Sequence, residues 1–143
     1  MSNPEAVARV VAFFEHIAPA DVARIGEIYA ADAYFRDPFN EVRGTEAIAR
    51  VYARMFEQLD ECRFVVAETL ADGDAALLVW DFTFHIRRWR LRAPRTIHGA
   101  THVRFALDGR IAYHRDYWDA AEELYAKLPL IGPVLRMLRK FVA

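Results

Sequence analysis

Apolar residues in the first part of the chain recur every three or four positions, a spacing that predicts amphipathic helices. A first helix is predicted from Pro4 to just before Pro19, because proline suits the first turn of a helix and interrupts a later one. A second, short helix is predicted from Asp21 to about Ala30, and a third begins at position 44 or 45. The third helix carries a broad apolar stripe, formed by Ile48, Val51, Tyr52, Met55, Phe56 and Leu59.

From about residue 63 the apolar positions alternate with polar ones, and this period of two predicts strands over residues 63–70, 74–86, 95–106 and 110–118. The second strand places one row of apolar side chains on the same face: Ala76, Leu78, Trp80, Phe82, Phe84 and Ile86. Two further helices are predicted, from Asp119 to about Lys127 and from Pro133 onward. Early helices followed by antiparallel strands predict an α+β fold in a single domain, residues 1–143, with the helices on one sheet face.

Asp108 and Gly109 form a strong two-residue hairpin signal between the last two strands. Because side chains alternate between faces, the turn defines which residues of these strands lie opposite each other. Counting outward from it gives the inward pairs Phe105 with Ala112, Val103 with His114, Thr101 with Asp116, and Gly99 with Trp118. The opposite face is more polar, so the helices are expected to cover this one.

The inward face carries three polar groups among apolar ones, namely Thr101, His114 and Asp116. A buried aspartate is uncommon unless it is paired, and His114 and Asp116 are neighbours on one strand. Two interpretations remain open for them. The pair is either a satisfied core pair that defines strand register, or the polar end-wall of a cavity in which Asp116 orients His114 or itself acts as acid or base.

A second acid stands at Asp37-Pro38, between Phe35 and Phe39. Proline lacks an N–H and biases the preceding residue toward extended geometry, so neither helix nor sheet continues regularly through this point. The bend is either a surface turn or a rigid support that presents the Asp37 carboxylate to an apolar cavity. In the second case, desolvation would make Asp37 a usable proton acceptor.

Composition narrows the possible functions. The chain has 19 Lys and Arg residues and 20 Asp and Glu residues, so it has no excess of positive charge. Nucleic acid is therefore not predicted as a partner. The single cysteine, Cys62, excludes an internal disulfide and a cysteine-only metal site. The histidines show no ligand spacing, so no metal is predicted. Hydrophobic residues make up 55% and aromatic residues 13%, enough to line a cavity as well as fill a core.

No apolar run reaches the length of a membrane span, so stable membrane insertion is not expected. The N-terminal residues do not show the pattern of a secretory signal, so a cytoplasmic location is expected. The segment from Arg87 to Arg95 holds five arginines and Trp89. It is interpreted as a solvated loop, with a lid or a patch for an anionic substrate tail as the alternative.

Three runs resemble the NTF2-like superfamily, in particular the SnoaL-like polyketide cyclases and the ketosteroid isomerases. They are Tyr-Ala-Ala-Asp-Ala-Tyr-Phe-Arg-Asp-Pro-Phe at 29–39, Arg-Gly-Thr-Glu-Ala-Ile at 43–48 and His-Arg-Asp-Tyr-Trp-Asp at 114–119. The resemblance implies a cone-shaped fold, with a curved antiparallel sheet packed against three N-terminal helices and a C-terminal helical extension. It also implies a deep apolar pocket, a homodimer and chemistry without a cofactor.

The resemblance also implies roles for individual residues. Asp37-Pro38 matches the motif of the ketosteroid isomerase base, whereas the tyrosine that donates to the oxyanion there corresponds to Phe13, which has no hydroxyl. The second acid of that site corresponds to a position near Thr101. Steroid isomerisation is therefore not expected. The SnoaL-like cyclases use an acid on the last strand, which corresponds to Asp116 beside His114.

These observations predict a cofactor-independent acid/base enzyme, of the isomerase, cyclase or lyase type, that acts on a small hydrophobic carbonyl-bearing or polycyclic molecule. The predicted catalytic residues are Asp37, His114 and Asp116. The predicted substrate contacts are Phe13, Tyr52, Phe56, Trp80, Phe82, Thr101 and Trp118. The alternatives are a non-catalytic pocket for a hydrophobic ligand and a dimeric interaction module.

Overall fold

The computed structural model describes residues 3–87, 94–120 and 132–142. The helices are α1 (Pro4–His16), α2 (Ile25–Ile28), α3 (Thr45–Gln58) and α4 (Gly132–Val142), with a 3-10 helix at Pro19–Arg24. The strands are β1 (Tyr29–Arg36), β2 (Glu41–Arg43), β3 (Leu59–Asp72), β4 (Ala75–Ile86), β5 (Arg95–Phe105) and β6 (Ile111–Tyr117). The predicted helix over 119–127 and most of the segment from Arg87 to Arg95 lie outside the described residues.

The strands form one sheet in the order β2-β1-β6-β5-β4-β3. All neighbours are antiparallel except β1 and β6, which are parallel. Helices α1 and α3 cover the inner face of this sheet, where Phe14, Ile48 and Leu78 are buried in a common core. The predicted α+β class and the four-stranded meander β3 to β6 are confirmed.

The helix predicted from Asp21 to about Ala30 ends earlier than expected. A 3-10 helix covers Pro19–Arg24, α2 spans only four residues, and β1, which was not predicted, starts at Tyr29. The run Ala30 to Ala33 has a helical composition, but pairing of Tyr34 and Phe35 with β6 outweighs this local preference. This strand brings Tyr29 next to the last strand of the sheet.

The predicted starts of the first and third helices are confirmed. The Asn3 side chain accepts a hydrogen bond from the N–H of Ala6 at 3.0 Å and so caps α1. Gly44 stands at the N-cap of α3 with φ +94°, a conformation that favours glycine. Its N–H donates to the carbonyl of Ala33 at 2.8 Å, which ties α3 to β1.

The hairpin between β5 and β6 has the predicted register along most of its length but not the predicted turn. The N–H of Ala106 donates to the carbonyl of Arg110, so three residues form the loop, with Gly109 at φ +85°. Phe105 therefore pairs with Ile111 instead of Ala112.

An irregularity beyond Phe105 then absorbs one residue of β6 and restores the predicted register. Thr101 lies opposite Asp116 and Val103 lies opposite His114, as predicted. The longer turn and the irregularity after Phe105 cancel each other. The predicted inward direction of Thr101, His114 and Asp116 is therefore confirmed.

Helix α4 has an exposed apolar face made of Val134, Met137, Leu138 and Phe141. None of the helices in the described part of the chain is long and apolar enough to cross a membrane.

Candidate functional site

A cavity of about 540 Å³ lies between the inner face of the sheet and helices α1 and α3. Its wall is mainly aromatic and consists in large part of Phe14, Phe35, Phe64, Trp80, Phe82, Phe84 and Trp118. The volume is that of a typical site for a small organic ligand. The polar side chains on this wall therefore decide which chemistry the cavity supports.

Asp116 on β6 is the carboxylate of the inner wall. Its Oδ1 accepts a hydrogen bond from the Thr101 hydroxyl at 2.6 Å and contacts Nε2 of His114 at 2.8 Å. Trp80 orients the threonine in turn, because its Nε1–H donates to Thr101 Oγ1 at 2.7 Å. The second oxygen of Asp116, Oδ2, has no hydrogen-bond partner among the residues that the structure describes.

That second oxygen is not sealed in the core. The Asp116 side chain retains 18% of its exposure and the residue lines the cavity. Within the described part of the chain, every fully buried side-chain nitrogen or oxygen has a partner, so an unpaired Oδ2 is an accessible atom. Asp116 therefore has one oxygen held by the protein and one oxygen open to a ligand.

His114 is buried, with 1% of its surface exposed, and both ring nitrogens are engaged. Nε2 contacts Asp116, and Nδ1 lies 2.9 Å from the hydroxyl of Tyr29. The ring stacks on Phe35 with centroids 4.4 Å apart and lies at right angles to the ring of Phe14. This packing holds the imidazole in one orientation, which suits a group that positions Asp116.

Tyr29 extends the line of hydrogen bonds to α3, because its hydroxyl lies 2.6 Å from that of Tyr52. Tyr52 lines the cavity, whereas Tyr29 lies behind it with 0% exposure. Burial raises the pKa of Tyr29 well above its ordinary value, and the nearby Tyr52 and Asp116 add to the shift. Burial also raises the pKa of Tyr52. Both phenols are therefore neutral hydrogen-bonding groups at ordinary pH.

Asp37 lies at the rim of the cavity, just past the end of β1. Its Oδ1 accepts hydrogen bonds from the N–H groups of Phe39 and Asn40, both at 2.7 Å, and from Nδ2 of Asn40 at 3.1 Å. Oδ2 contacts the same Asn40 amide at 3.1 Å. Asp37 thus closes a local turn and also lines the cavity. The Asp37-Pro38 bend is therefore a turn near the surface as well as a support that presents a carboxylate to the cavity.

The structure brings five of the seven predicted substrate contacts to the cavity: Tyr52, Trp80, Phe82, Thr101 and Trp118. Phe13 and Phe56 do not line it. Phe13 packs edge-on against Tyr29 and Tyr52. Phe56 follows the cavity-lining Met55 by one position, which turns it about 100° around α3.

Tyr29 and the polar residues of the rim were not expected at the site. Tyr29 was expected on a helix, and only its pairing with β6 places it beside His114, behind the cavity lining. The lining also includes the polar residues Asn40, Arg54 and Gln58; Arg54 and Gln58 lie outside the apolar stripe of α3, and Asn40 lies between β1 and β2. No signal in the sequence indicated that they surround an opening.

Gly99 explains how the Trp80 indole fits over β5. A Cβ added at Gly99 would lie 2.6 Å from Trp80 Cη2 and 3.0 Å from Trp118 Cβ. The missing side chain therefore makes room for the two tryptophans of the wall.

Among the described residues no group of three His, Cys, Asp or Glu side chains could hold a metal ion.

The chain belongs to the SnoaL-like domain family, whose model matches residues 10–114. A comparison with curated proteins finds no match.

Solved structures share the fold. A hypothetical protein from Catenulispora acidiphila with a ketosteroid isomerase-like fold, in complex with trimethylamine, is 22% identical, with a TM-score of 0.72 over 85% of this chain and 91% of that one. An LEH-like epoxide hydrolase from M. tuberculosis is 22% identical, with a TM-score of 0.70 over 97% and 96%. An NTF2-like protein of unknown function from Burkholderia pseudomallei is 16% identical, with a TM-score of 0.70 over 83% and 92%. The predicted NTF2-like fold is confirmed.

Proposed function

We propose that this protein is a cofactor-independent acid/base enzyme that moves a proton on a small hydrophobic carbonyl compound. One observation carries the proposal: Asp116 has one oxygen held by Thr101 and His114 and the other open on an aromatic cavity. A carboxylate oriented in this way is a general base for a carbon acid bound against it.

In this reaction Asp116 Oδ2 takes a proton from a carbon next to the carbonyl group. Thr101 and His114 position the carboxylate through Oδ1, and Trp80 and Trp118 hold the apolar part of the ligand. Asp37 is the second acid/base group, placed at the rim, where Asn40 orients it. The lining is mainly aromatic, so interactions of a ligand with the reacting carboxylate should be stronger there than in water.

The test is hydrogen exchange in 2-tetralone, a bicyclic ketone of suitable size and polarity. The protein should accelerate incorporation of deuterium from D₂O next to the carbonyl group, followed by NMR. Asp116→Asn should lower the turnover rate at least about 100-fold, within the range of general acid–base catalysis. Asp81→Asn, on the outer face of β4 and outside the cavity, is the matched control and should retain the rate.

No acceleration by the unaltered protein, or equal rates for Asp116→Asn and the unaltered protein, would overturn the enzyme proposal. The alternative is a non-catalytic pocket for a hydrophobic ligand, which the three N–H donors on Asp37 Oδ1 favour. A non-catalytic pocket predicts that native mass spectrometry detects an apolar molecule copurified with the protein. It also predicts that the protein does not accelerate deuterium incorporation into 2-tetralone. The homodimer implied by the family resemblance is tested by light scattering of the purified protein.

A further inference from the structure

Polar side chains on and directly behind the wall of the cavity form one continuous line of hydrogen bonds. It runs in the order Tyr52, Tyr29, His114, Asp116, Thr101 and Trp80. The line meets the cavity at two lining residues, Tyr52 and Asp116, and Oδ2 of Asp116 is accessible there. Tyr29 and His114 join these two points, and Tyr29 does so without lining the cavity.

We propose that Tyr52, Tyr29 and His114 relay a proton to the carbonyl oxygen of the ligand while Asp116 removes a proton from the neighbouring carbon. This inference rests on the proposed function and adds the other half of the reaction to it. The ligand would lie with its carbonyl oxygen at Tyr52 and its acidic carbon at Asp116. The substrate class is therefore an apolar ketone that can form an enol.

The line of hydrogen bonds has two possible arrangements, because each tyrosine hydroxyl can donate as well as accept. In the first, Tyr52 donates to Tyr29, and Tyr29 donates to Nδ1 of His114. In the second, the Nδ1–H donates to Tyr29, Tyr29 donates to Tyr52, and the Tyr52 O–H is free to donate to a ligand. The second arrangement needs one proton on Nδ1 and one shared between Nε2 and Asp116 Oδ1.

The reaction starts from the second arrangement. The proton on carbon moves to Asp116 Oδ2, and the electron pair of the C–H bond becomes the carbon–carbon double bond of the enol. The Tyr52 proton moves to the carbonyl oxygen, the Tyr29 proton moves to Tyr52, and the Nδ1 proton of His114 moves to Tyr29. The ligand is then a neutral enol and the line is in the first arrangement.

The ketone and the second arrangement are restored when the Oδ2 proton returns to carbon and the relay runs backwards. The enol O–H proton goes back to Tyr52, the Tyr52 proton to Tyr29, and the Tyr29 proton to Nδ1 of His114. Deuterium from solvent enters the ligand when it has replaced the proton on Oδ2. No oxidant, metal or further reactant is needed, because each proton that leaves one atom arrives on the next.

A relay suits this wall because it leaves no isolated charge on the ligand. An enolate or a tyrosinate would be poorly solvated among aromatic side chains. Burial raises the pKa of Tyr29 and of Tyr52, which disfavours a free tyrosinate at either position. A shift of all the protons in one step avoids both anions. Tyr29 is then a relay residue that acts on the ligand only through Tyr52.

Tyr29→Phe is the direct test, since it removes the middle hydroxyl and leaves the cavity lining unchanged. With 2-tetralone in D₂O we expect kcat at least about 10-fold lower and KM within about twofold, because binding does not involve Tyr29. Tyr34→Phe is the matched control on the same strand. Its hydroxyl bonds Glu41 outside the cavity, and the variant should exchange at the original rate.

Tyr52→Phe should lower kcat by a similar factor, and the double variant should lose little more than either single one, because the two hydroxyls act as one unit. A folded Tyr29→Phe that exchanges at the original rate, while Asp116→Asn is inactive, would overturn the relay and leave the proposed function standing. An active Asp116→Asn would overturn the proposed function and the relay with it.

A measurement on the unaltered protein decides the matter even if Tyr29→Phe fails to fold. 2-Tetralone labelled with tritium next to the carbonyl group loses its label at a rate that is followed in mixtures of H₂O and D₂O. Several solvent-derived protons move in one step in a relay, so the rate should fall along a curve as the deuterium fraction rises. A straight line, which indicates a single moving proton, would overturn the relay.

Discussion

Asp116 and Asp37 are both carboxylates on the lining of one cavity, but they are held in different ways. Asp116 is held by Thr101 and His114, which reach it across the sheet and along β6. Asp37 is held mainly by N–H groups within three residues of itself. The difference shows that a local motif can place an acid at a cavity, whereas the orientation of Asp116 also requires Thr101, which lies on the neighbouring strand.

We therefore expect loss of the hydrogen bonds of His114 to Asp116 and Tyr29 to destabilise the protein more than a change in the Asp37 turn. Replacement of His114 by Phe should lower the free energy of unfolding by roughly 2–4 kcal/mol, because Asp116 and Tyr29 each lose a buried partner. Urea unfolding measures this. His102→Phe, on the outer face of β5, is the matched control and should change it by less than about 1 kcal/mol. Equal stability of both variants would contradict the importance of the network.

The two buried tyrosines should make the protein less stable in alkali. In the unfolded chain they ionise near pH 10, whereas burial raises the pKa of both in the folded protein. Above pH 10 the unfolded state therefore holds fewer protons, and the free energy of unfolding falls as pH rises. The fall should reach about 3 kcal/mol at pH 11 for the two groups together.

Urea unfolding between pH 9 and pH 11 checks this fall, and absorbance at 295 nm follows the phenols directly. In Tyr29→Phe only one buried phenol remains, so the fall should be about halved. Tyr34→Phe should change the fall less. The hydrogen bond to Glu41 raises the pKa of Tyr34, but this hydroxyl lies at the surface, where solvent screens the interaction. Ionisation of all tyrosines near pH 10 without unfolding would contradict the buried network.

Asp37→Asn should have the smallest effect of the substitutions in the cavity. The new amide oxygen can still accept from the N–H groups of Phe39 and Asn40, so the turn should survive at a cost below about 1 kcal/mol. We expect turnover with 2-tetralone to fall less than about 10-fold, well below the loss in Asp116→Asn. An equal loss in the two variants would contradict this ranking of the two acids.

Much of the sheet and part of the site could be predicted from the sequence. The alternation through β4 marked Trp80 and Phe82 as inward, and the hairpin signal placed Thr101 opposite Asp116 even though the turn has three residues. Tyr29 could not be predicted. It follows a short helix, and its role depends on pairing with a strand more than 80 residues later.

The sequence by itself determined the class of fold, the inward direction of His114 and Asp116, and the position of an acid on the Asp37 bend. These follow from side-chain periodicity and turn chemistry, which act over a few residues. Only the tertiary structure decided that Tyr29 and Tyr52 complete a line of hydrogen bonds, and that one oxygen of Asp116 stays open. Such contacts join residues far apart in the chain, and no local pattern encodes a distance between them.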